Sequence, residues 1–429
     1  MCKNLSFADC ELSILHASVD KIEKRVGEKL VHSPMMTNVI QMVEHFIKTN
    51  KCIIYGGTAI NNILPEKDQF YDYDYQLPDY DFFCTEPLKL ATDLTDLFAK
   101  KGYEVEAKSG VHHGTFKVFV DRLGVADITY LHPEIYKMLL KSAIVKKGLL
   151  YAPANFLRQS MYLELSRPLG DVSRWEKVLR RLNALNKHYP LVYKKCTVQR
   201  KMSNRRHEDK LFQTIKHFFI DQNVVFIGGY ANSLYTQHTR IPRLANLPDF
   251  DVLVNDPKDT AQELVKVLKA DGYDATVKEH EAIGELISTH YSVSVEKDYV
   301  AFLYEPVACH SYNEIQDGHK KIKVGTIDTL LSYYLAFMYA DRDYFDENRL
   351  LCLSGALFRV QQENRLAQKG LLKRFGMNCY GVQPTLKSIM DEKSKLYETL
   401  DHNSAEFKER FFKYTPKRQT PKTRKNKLK

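Results

Sequence analysis

Two stretches of this chain occur twice. Cys52-Ile-Ile-Tyr-Gly-Gly-Thr-Ala-Ile-Asn61 resembles Val224-Val-Phe-Ile-Gly-Gly-Tyr-Ala-Asn-Ser233, and Leu77-Pro-Asp-Tyr-Asp-Phe-Phe83 resembles Leu247-Pro-Asp-Phe-Asp-Val-Leu253. The second Gly-Gly follows the first by 172 residues, and the second Asp-x-Asp follows the first by 170. Two independent motifs at nearly one offset mean a duplicated domain, which constrains the fold more than any other feature.

The flanking patterns repeat as well. Ser33-Pro34 opens a helix, with Ser as cap and Pro in the first turn. Met36, Val39, Ile40, Val43, Phe46 and Ile47 then follow helical spacing, and Cys52 to Tyr55 reads as a buried strand. In the second copy Leu211, Ile215, Phe218 and Phe219 repeat the helix, and Val224 to Ile227 the strand. Helical segments near Pro153 and over Ile327 to Tyr339 again match. The expected class is α/β (α+β), with two tandem domains, each a small mixed sheet with helices. Along the chain this gives a helical extension at 1–32, domains at 33–190 and 191–360, a helical region at 361–412 and a disordered basic tail at 413–429. Leu12, Leu15, Val19 and Ile22 set the helical phase of the extension. The junction is expected near 186–207.

The 429 residues, 44% hydrophobic, suffice for two or three cores. The longest nearly apolar run, Leu330 to Ala340, is too short to span a bilayer, and residues 1–20 have no apolar core of a secretory signal. The eight cysteines include no CxxC pair, so reduced thiols are expected rather than a disulfide framework or a zinc site.

The net charge of +10 is concentrated. Ten Lys or Arg and no acid lie between Lys177 and His207, and eight more without an acid lie between Lys413 and Lys429, which leaves the rest of the chain at −8. Such segments suit a polyanion, and Tyr189 and Tyr193 are interleaved with the first. Lys194, Lys195, Arg200, Lys201, Arg205 and Arg206 are therefore RNA-binding candidates.

Strand, Gly-Gly, helix, then Asp-x-Asp on a second strand is a phosphate-and-metal arrangement. Glycines let backbone amides at a helix N-terminus approach a phosphate. Asp79 and Asp81 are two apart on a strand and point to one face. Two such carboxylates attract Mg2+, which also takes phosphate oxygens. A third acid, Asp127, sits inside the apolar run Gly124 to Leu131, where a lone carboxylate is costly unless paired or metal-bound. Asp72 and Asp74 compete for the role, but the second copy repeats 77–83 and not 71–75.

These motifs resemble the polymerase-beta-like nucleotidyltransferase superfamily. With the run Leu157 to Lys177 added, the chain is similar to the catalytic poly(A) polymerases of large DNA viruses, of the poxvirus and giant-virus type. The match spans about 50–190 and extends more weakly to 360. The gap from Gly57 to Asp79 is longer than usual for the superfamily. The resemblance implies template-independent transfer of AMP from ATP to an RNA 3′-hydroxyl. It assigns Asp79, Asp81 and Asp127 to two Mg2+ or Mn2+ ions, and Gly56, Gly57 and Thr58 to the triphosphate. Arg158, Ser166, Arg167, Arg174 and Lys177 are further candidates for nucleotide or RNA, while Trp175 reads as core. Expected partners are the RNA 3′ end, ATP, a second copy of the chain and an accessory cap methyltransferase-like processivity subunit, in host cytoplasm or virion. The alternatives are transfer to another hydroxyl acceptor, or a non-catalytic RNA-binding subunit.

The second copy is expected to be inactive. Asp249 and Asp251 are present, but the third acid falls at Val300 or, by distance, at Asp298. The segment from Tyr339 to Glu347 is acidic where the first copy is basic.

Overall fold

The computed structural model describes residues 2, 5–192, 208–236, 249–317, 319–364 and 373–416. The first part of the chain runs α1 (Phe7–Val31), α2 (Pro34–Thr49), β1 (Ile53–Ile54), α3 (Gly56–Ile63), β2 (Asp81–Cys84), α4 (Pro87–Lys100), β3 (Val105–Ser109), β4 (Thr115–Val120), β5 (Leu123–Tyr130) and α5 (Pro133–Ser142). It continues through β6 (Ile144–Lys146), β7 (Leu149–Tyr151), α6 (Ala154–Leu165) and α7 (Trp175–His188). The second part runs α8 (Glu208–Asp221), β8 (Val225–Phe226), α9 (Gly229–Thr236), β9 (Phe250–Leu253), α10 (Pro257–Ala270), β10 (Ala275–His280), β11 (His290–Val295), β12 (Asp298–Tyr304), β13 (His310–Asp317), β14 (Lys320–Gly325), α11 (Ile327–Phe337) and α12 (Glu347–Asn364). The chain closes with β15 (Cys379–Tyr380), α13 (Leu386–Thr399), α14 (Ala405–Arg410) and β16 (Lys413–Tyr414).

The duplication is visible in the topology. One sheet has the order β16-β3-β4-β5-β2-β1-β7-β6 and the other β10-β11-β12-β9-β8-β14-β13-β15. Omitting the added end strands β16 and β15, the seven remaining strands correspond one to one. Both copies even carry a register shift at the same place, between Val118 and Phe119 and between Val293 and Ser294.

The local reasons are those expected. Ser33 caps α2, its hydroxyl accepting from Met36 N at 3.2 Å, and Met36, Val39, Val43, Phe46 and Ile47 form the buried face. Helix α1 forms as expected, but none of its residues is buried. Among the described residues no helix is long and apolar enough to cross a membrane.

Three expectations are corrected. The chain forms two compact units, 1–131 with 143–152 and 389–429, and 132–142 with 153–388. Helices α6 and α7, expected in the first domain, belong to the second unit, where α6 packs on α11. Residues 413–414, expected in a disordered tail, form β16 against β3. The cysteines are not all free: Cys2 pairs with Cys10 and Cys309 with Cys379, the latter because β15 runs beside β13. Cys52 and Cys84 are buried thiols.

The second unit holds two buried neutral histidines. His310 lies between Ser166 Oγ (3.3 Å) and Tyr333 OH (3.1 Å), and burial lowers its pKa to about 3. His290 contacts Tyr344 OH at 2.9 Å, and burial lowers it to about 4. Below pH 6.5 the unfolded chain takes up these protons while the folded chain does not, so stability falls as pH drops toward 4. Each group contributes up to about 1.4 kcal/mol per pH unit in that window. His310→Asn is expected to flatten the dependence of the urea midpoint on pH between 6.5 and 4; an unchanged slope would show that His310 does not contribute.

Candidate active site

Strand β1 is followed by Tyr55, the N-cap residue of α3, whose N–H donates to Asp81 O at 2.9 Å. The chain then enters α3 through Gly56 at φ +70°, and a Cβ there would lie 2.7 Å from Asp81 Oδ2. Backbone conformation and carboxylate together require glycine. No side chain caps α3, so its first amides, including that of the half-buried Gly57, form a bare positive helix terminus. Thr58 does not face a ligand as expected. Its hydroxyl is 1% exposed and donates to Asp79 O at 2.5 Å, so it anchors the entry to β2.

Tyr80 fixes which way the acids point. It is buried, and its OH donates to Glu44 Oε1 of α2 at 2.7 Å. Asp79 and Asp81, on either side of it, turn to the opposite face. Asp81 pairs in parallel register with Asp127 of β5. Lys117 of β4 lies directly opposite Asp127, and its ammonium donates to Asp127 Oδ2. Tyr55 stacks on Phe83 at 3.8 Å and shares a 2.8 Å hydrogen bond with Thr129 Oγ1. Burial, then the charge of Asp81, raises its phenol pKa, so it stays a neutral hydrogen-bonding wall. Asp72 and Asp74 lie exposed in a turn, with Asp74 N donating to Asp72 Oδ1 at 3.0 Å.

Among the described residues, no three His, Cys, Asp or Glu side chains form a ready metal cage. Adjacent Asp81 and Asp127, with the exposed Asp79, instead fit an ion that takes a few carboxylates and completes its shell with phosphate oxygens and water. The ammonium of Lys117 neutralises Asp127 in this structure.

The remaining nucleotide candidates belong to the second unit. Arg158 is fully buried and donates to Asn186 Oδ1, Asn155 Oδ1 and Tyr189 O, so it ties α6 to the end of α7 and is not open to a triphosphate. Ser166 is also buried, donating to Leu163 O at 2.8 Å. Both were expected to contact nucleotide or RNA. They are buried instead, in a helix on which both α7 and α11 pack. Arg174 Nε pairs with Glu164 at 3.1 Å and Trp175 packs beside Phe375 at 5.7 Å. Lys177 is exposed on α7. Arg167 is largely buried, and its Nε has no hydrogen-bond partner among the described residues. Lys194, Lys195, Arg200, Lys201, Arg205 and Arg206, and most of the expected domain junction, lie outside the described residues.

The second copy keeps the shape but not the third acid. Gly228 sits so close to Asp251 that a Cβ would lie 2.2 Å from Oδ2. Asp251 pairs with Phe302, so the position matching Asp127 is Phe302 and neither Val300 nor Asp298. Arg349 of α12 forms an ion pair with Asp249, both side chains being about 10% exposed. Sequence reading missed Arg349 and Lys117. Arg349 has no local signal. Lys117 had a partial one, a positively charged outward position in an alternating strand.

Residues 41–171 match the family described as "Poly(A) polymerase catalytic subunit". The chain is 30% identical over 158 residues to a protein of Acanthamoeba polyphaga mimivirus assigned as such a subunit, covering 36% of this chain and 26% of that protein. It is 29% identical over 181 residues to the corresponding African swine fever virus protein (Tick/Malawi isolate), covering 41% and 38%. The aligned stretch thus spans well under half of these relatives. The crystal structure of the Megavirus polyadenylate synthase superposes with a TM-score of 0.82 at 19% identity, covering 98% of this chain and 88% of that one. Over residues 41–171 this chain is similar to the viral poly(A) polymerase catalytic subunits, and its fold is like that of the Megavirus polyadenylate synthase.

Proposed function

We propose that the chain is a template-independent adenylyltransferase that adds AMP from ATP to the 3′-hydroxyl of RNA, with its active site on the first sheet. The observation that carries this reading is the register placing Asp81 beside Asp127 at the uncapped N-terminus of α3. The similarity to viral poly(A) polymerases over residues 41–171 supports it.

Gly56 and Gly57 present backbone amides to the triphosphate. Asp79, Asp81 and Asp127 are the residues that would hold Mg2+ or Mn2+, which when bound neutralises the triphosphate and acidifies the 3′-hydroxyl. Thr58 and Tyr80 keep Asp79 and Asp81 on the reacting face. The transfer breaks the bond between the α-phosphorus and the bridging oxygen, forms a 3′–5′ phosphodiester and releases pyrophosphate. Arg167, Arg174 and Lys177 remain candidates for anionic contacts, and the basic segments at 194–206 and 413–429 for RNA.

A homodimer belongs to the same reading. Leu12, Leu15, Val19, Ile22 and Val26 form an exposed row on α1 at alternating three- and four-residue spacing, the pattern of a helix seam. An accessory processivity subunit and action in host cytoplasm or virion belong to the same proposal; the word "subunit" in the relatives' names and their viral source are consistent with it.

Primer extension tests the activity. Purified protein with labelled RNA, Mg2+ or Mn2+ and each NTP separately is expected to give a ladder with ATP alone. Extension with every NTP alike would remove the adenylyl assignment, and no extension with any would move the reading to another acceptor or to a binding subunit.

A further inference from the structure

The uncovered face of the first sheet carries a row of charges that the sequence keeps far apart. Strands β16, β3, β4, β5 and β2 are consecutive. Lys413 pairs with Lys108, Lys108 with Lys117, Lys117 with Asp127, and Asp127 with Asp81. Directly paired residues share a face, so these five form one line across five strands. At about 4.8 Å per strand the line is roughly 19 Å long.

Neighbouring contacts fix the face. Tyr414, next to Lys413, points the other way, and its OH donates to Asp96 of α4 at 2.7 Å. Phe116 and Val118, flanking Lys117, are buried on that covered side. The lysine side chains are open: 47% exposed for Lys108, 40% for Lys117 and 69% for Lys413. Phe119 shares their face, with Lys108 Nζ 4.4 Å from its ring centroid. Glu106 lies between Lys108 and Lys413, 3.4 Å from each.

We propose that this row is the RNA track of the active site. The phosphodiester backbone of the strand being extended leaves the carboxylates past Lys117 and Lys108 and reaches Lys413, where the chain continues into its basic C-terminal segment. The inference rests on the proposed activity. Like charges at paired cross-strand positions are unfavourable alone. A polyanion removes that repulsion and releases its own counterions. Phe119 offers a ring face on which a base can stack. Strand β16 adds the last lysine of the row at the edge of the sheet that bears the acids, and in sequence seven further Lys or Arg follow it between 417 and 429.

The test uses the full chain, a fluorescein-labelled single-stranded RNA and anisotropy titrations at several KCl concentrations, without NTP. Lys108→Gln/Lys413→Gln is expected to bind RNA at least about fivefold more weakly. Its log affinity should depend less steeply on log salt, by about 1.4 for two lost phosphate contacts on a single strand. Glu106→Gln, which removes the competing acid, should bind about twofold more tightly. The KM for ATP at saturating RNA should not change. Unaltered RNA affinity and salt slope in the double variant would overturn the track. So would a raised KM for ATP with RNA binding intact, which would give the lysines to the triphosphate. A protein that shows the salt effect but extends no RNA with ATP would keep the track and lose the adenylyl reading.

Discussion

Asp81→Asn is expected to lower kcat/KM for RNA extension at least ~10³-fold, while Asp251→Asn leaves it within about twofold. Asp81 lies beside Asp127 and against the Gly56 backbone. Losing its charge would remove a carboxylate proposed to hold the metal, and metal stabilisation of a phosphoryl transition state is worth several kcal/mol, about 1.4 kcal/mol per tenfold in rate. Asp251 has the same position in the second copy, but there the neighbouring strand presents Phe302. Steady-state primer extension by the two variants checks this, with circular dichroism melts to confirm that each is folded. Loss of activity in Asp251→Asn with survival in Asp81→Asn would reverse the assignment of the two copies.

Arg349→Ala is expected to destabilise the second unit by about 3–5 kcal/mol, the usual cost of leaving one member of a buried ion pair alone. Asp249 and Arg349 face each other almost without solvent, and Gly229 leaves so little room that a Cβ would sit 3.0 Å from Asp249 Oδ2 and 3.3 Å from Arg349 Nη2. The guanidinium thus gives the second Asp-x-Asp the positive charge that the proposed metal would give the first. Urea denaturation followed by fluorescence measures the loss, and adding Asp249→Ala should recover part of it, since the uncompensated charge is then gone. A loss under about 0.5 kcal/mol would mean that the pair is not coupled. With Phe302 in the third position, Arg349→Ala is not expected to create a second active site.

Much of the first unit was legible because its signals are local. Ser33-Pro34 and the 3.6-residue spacing from Met36 to Ile47 specify α2. The Gly-Gly turn and Leu-Pro-Asp-x-Asp locate β1, α3 and β2, and the repeat itself separated Asp79 and Asp81 from Asp72 and Asp74. Helix α6 shows where local signals fail. Arg158 and Ser166 look like ligand-facing polar positions, yet both are buried where α7 and α11 pack on the helix. The Cys309–Cys379 pair was illegible for a similar reason, as 70 residues separate the two.

The duplication and the order of the elements could be read from the sequence alone, which also singled out the acids proposed to hold metal. Periodicity, caps and glycines act over a few residues, and two copies at one offset reinforce each reading. Which side chains face one another across strands is set only by the folded sheets. Asp121 and Arg122, both at positive φ, make a tight hairpin turn that sets Val120 opposite Leu123. Counting back from that turn would put Lys117 opposite Ala126. The register shift between Val118 and Phe119 moves it opposite Asp127; the matching shift in the second copy sets Ser292 opposite Phe302, and the separate pairing of β12 with β9 puts Phe302 beside Asp251. A one-residue slip exchanges the two faces of a strand. The line from Asp81 to Lys413, and the loss of the third acid in the second copy, therefore depend on bulges and edge pairings that only the assembled sheets define.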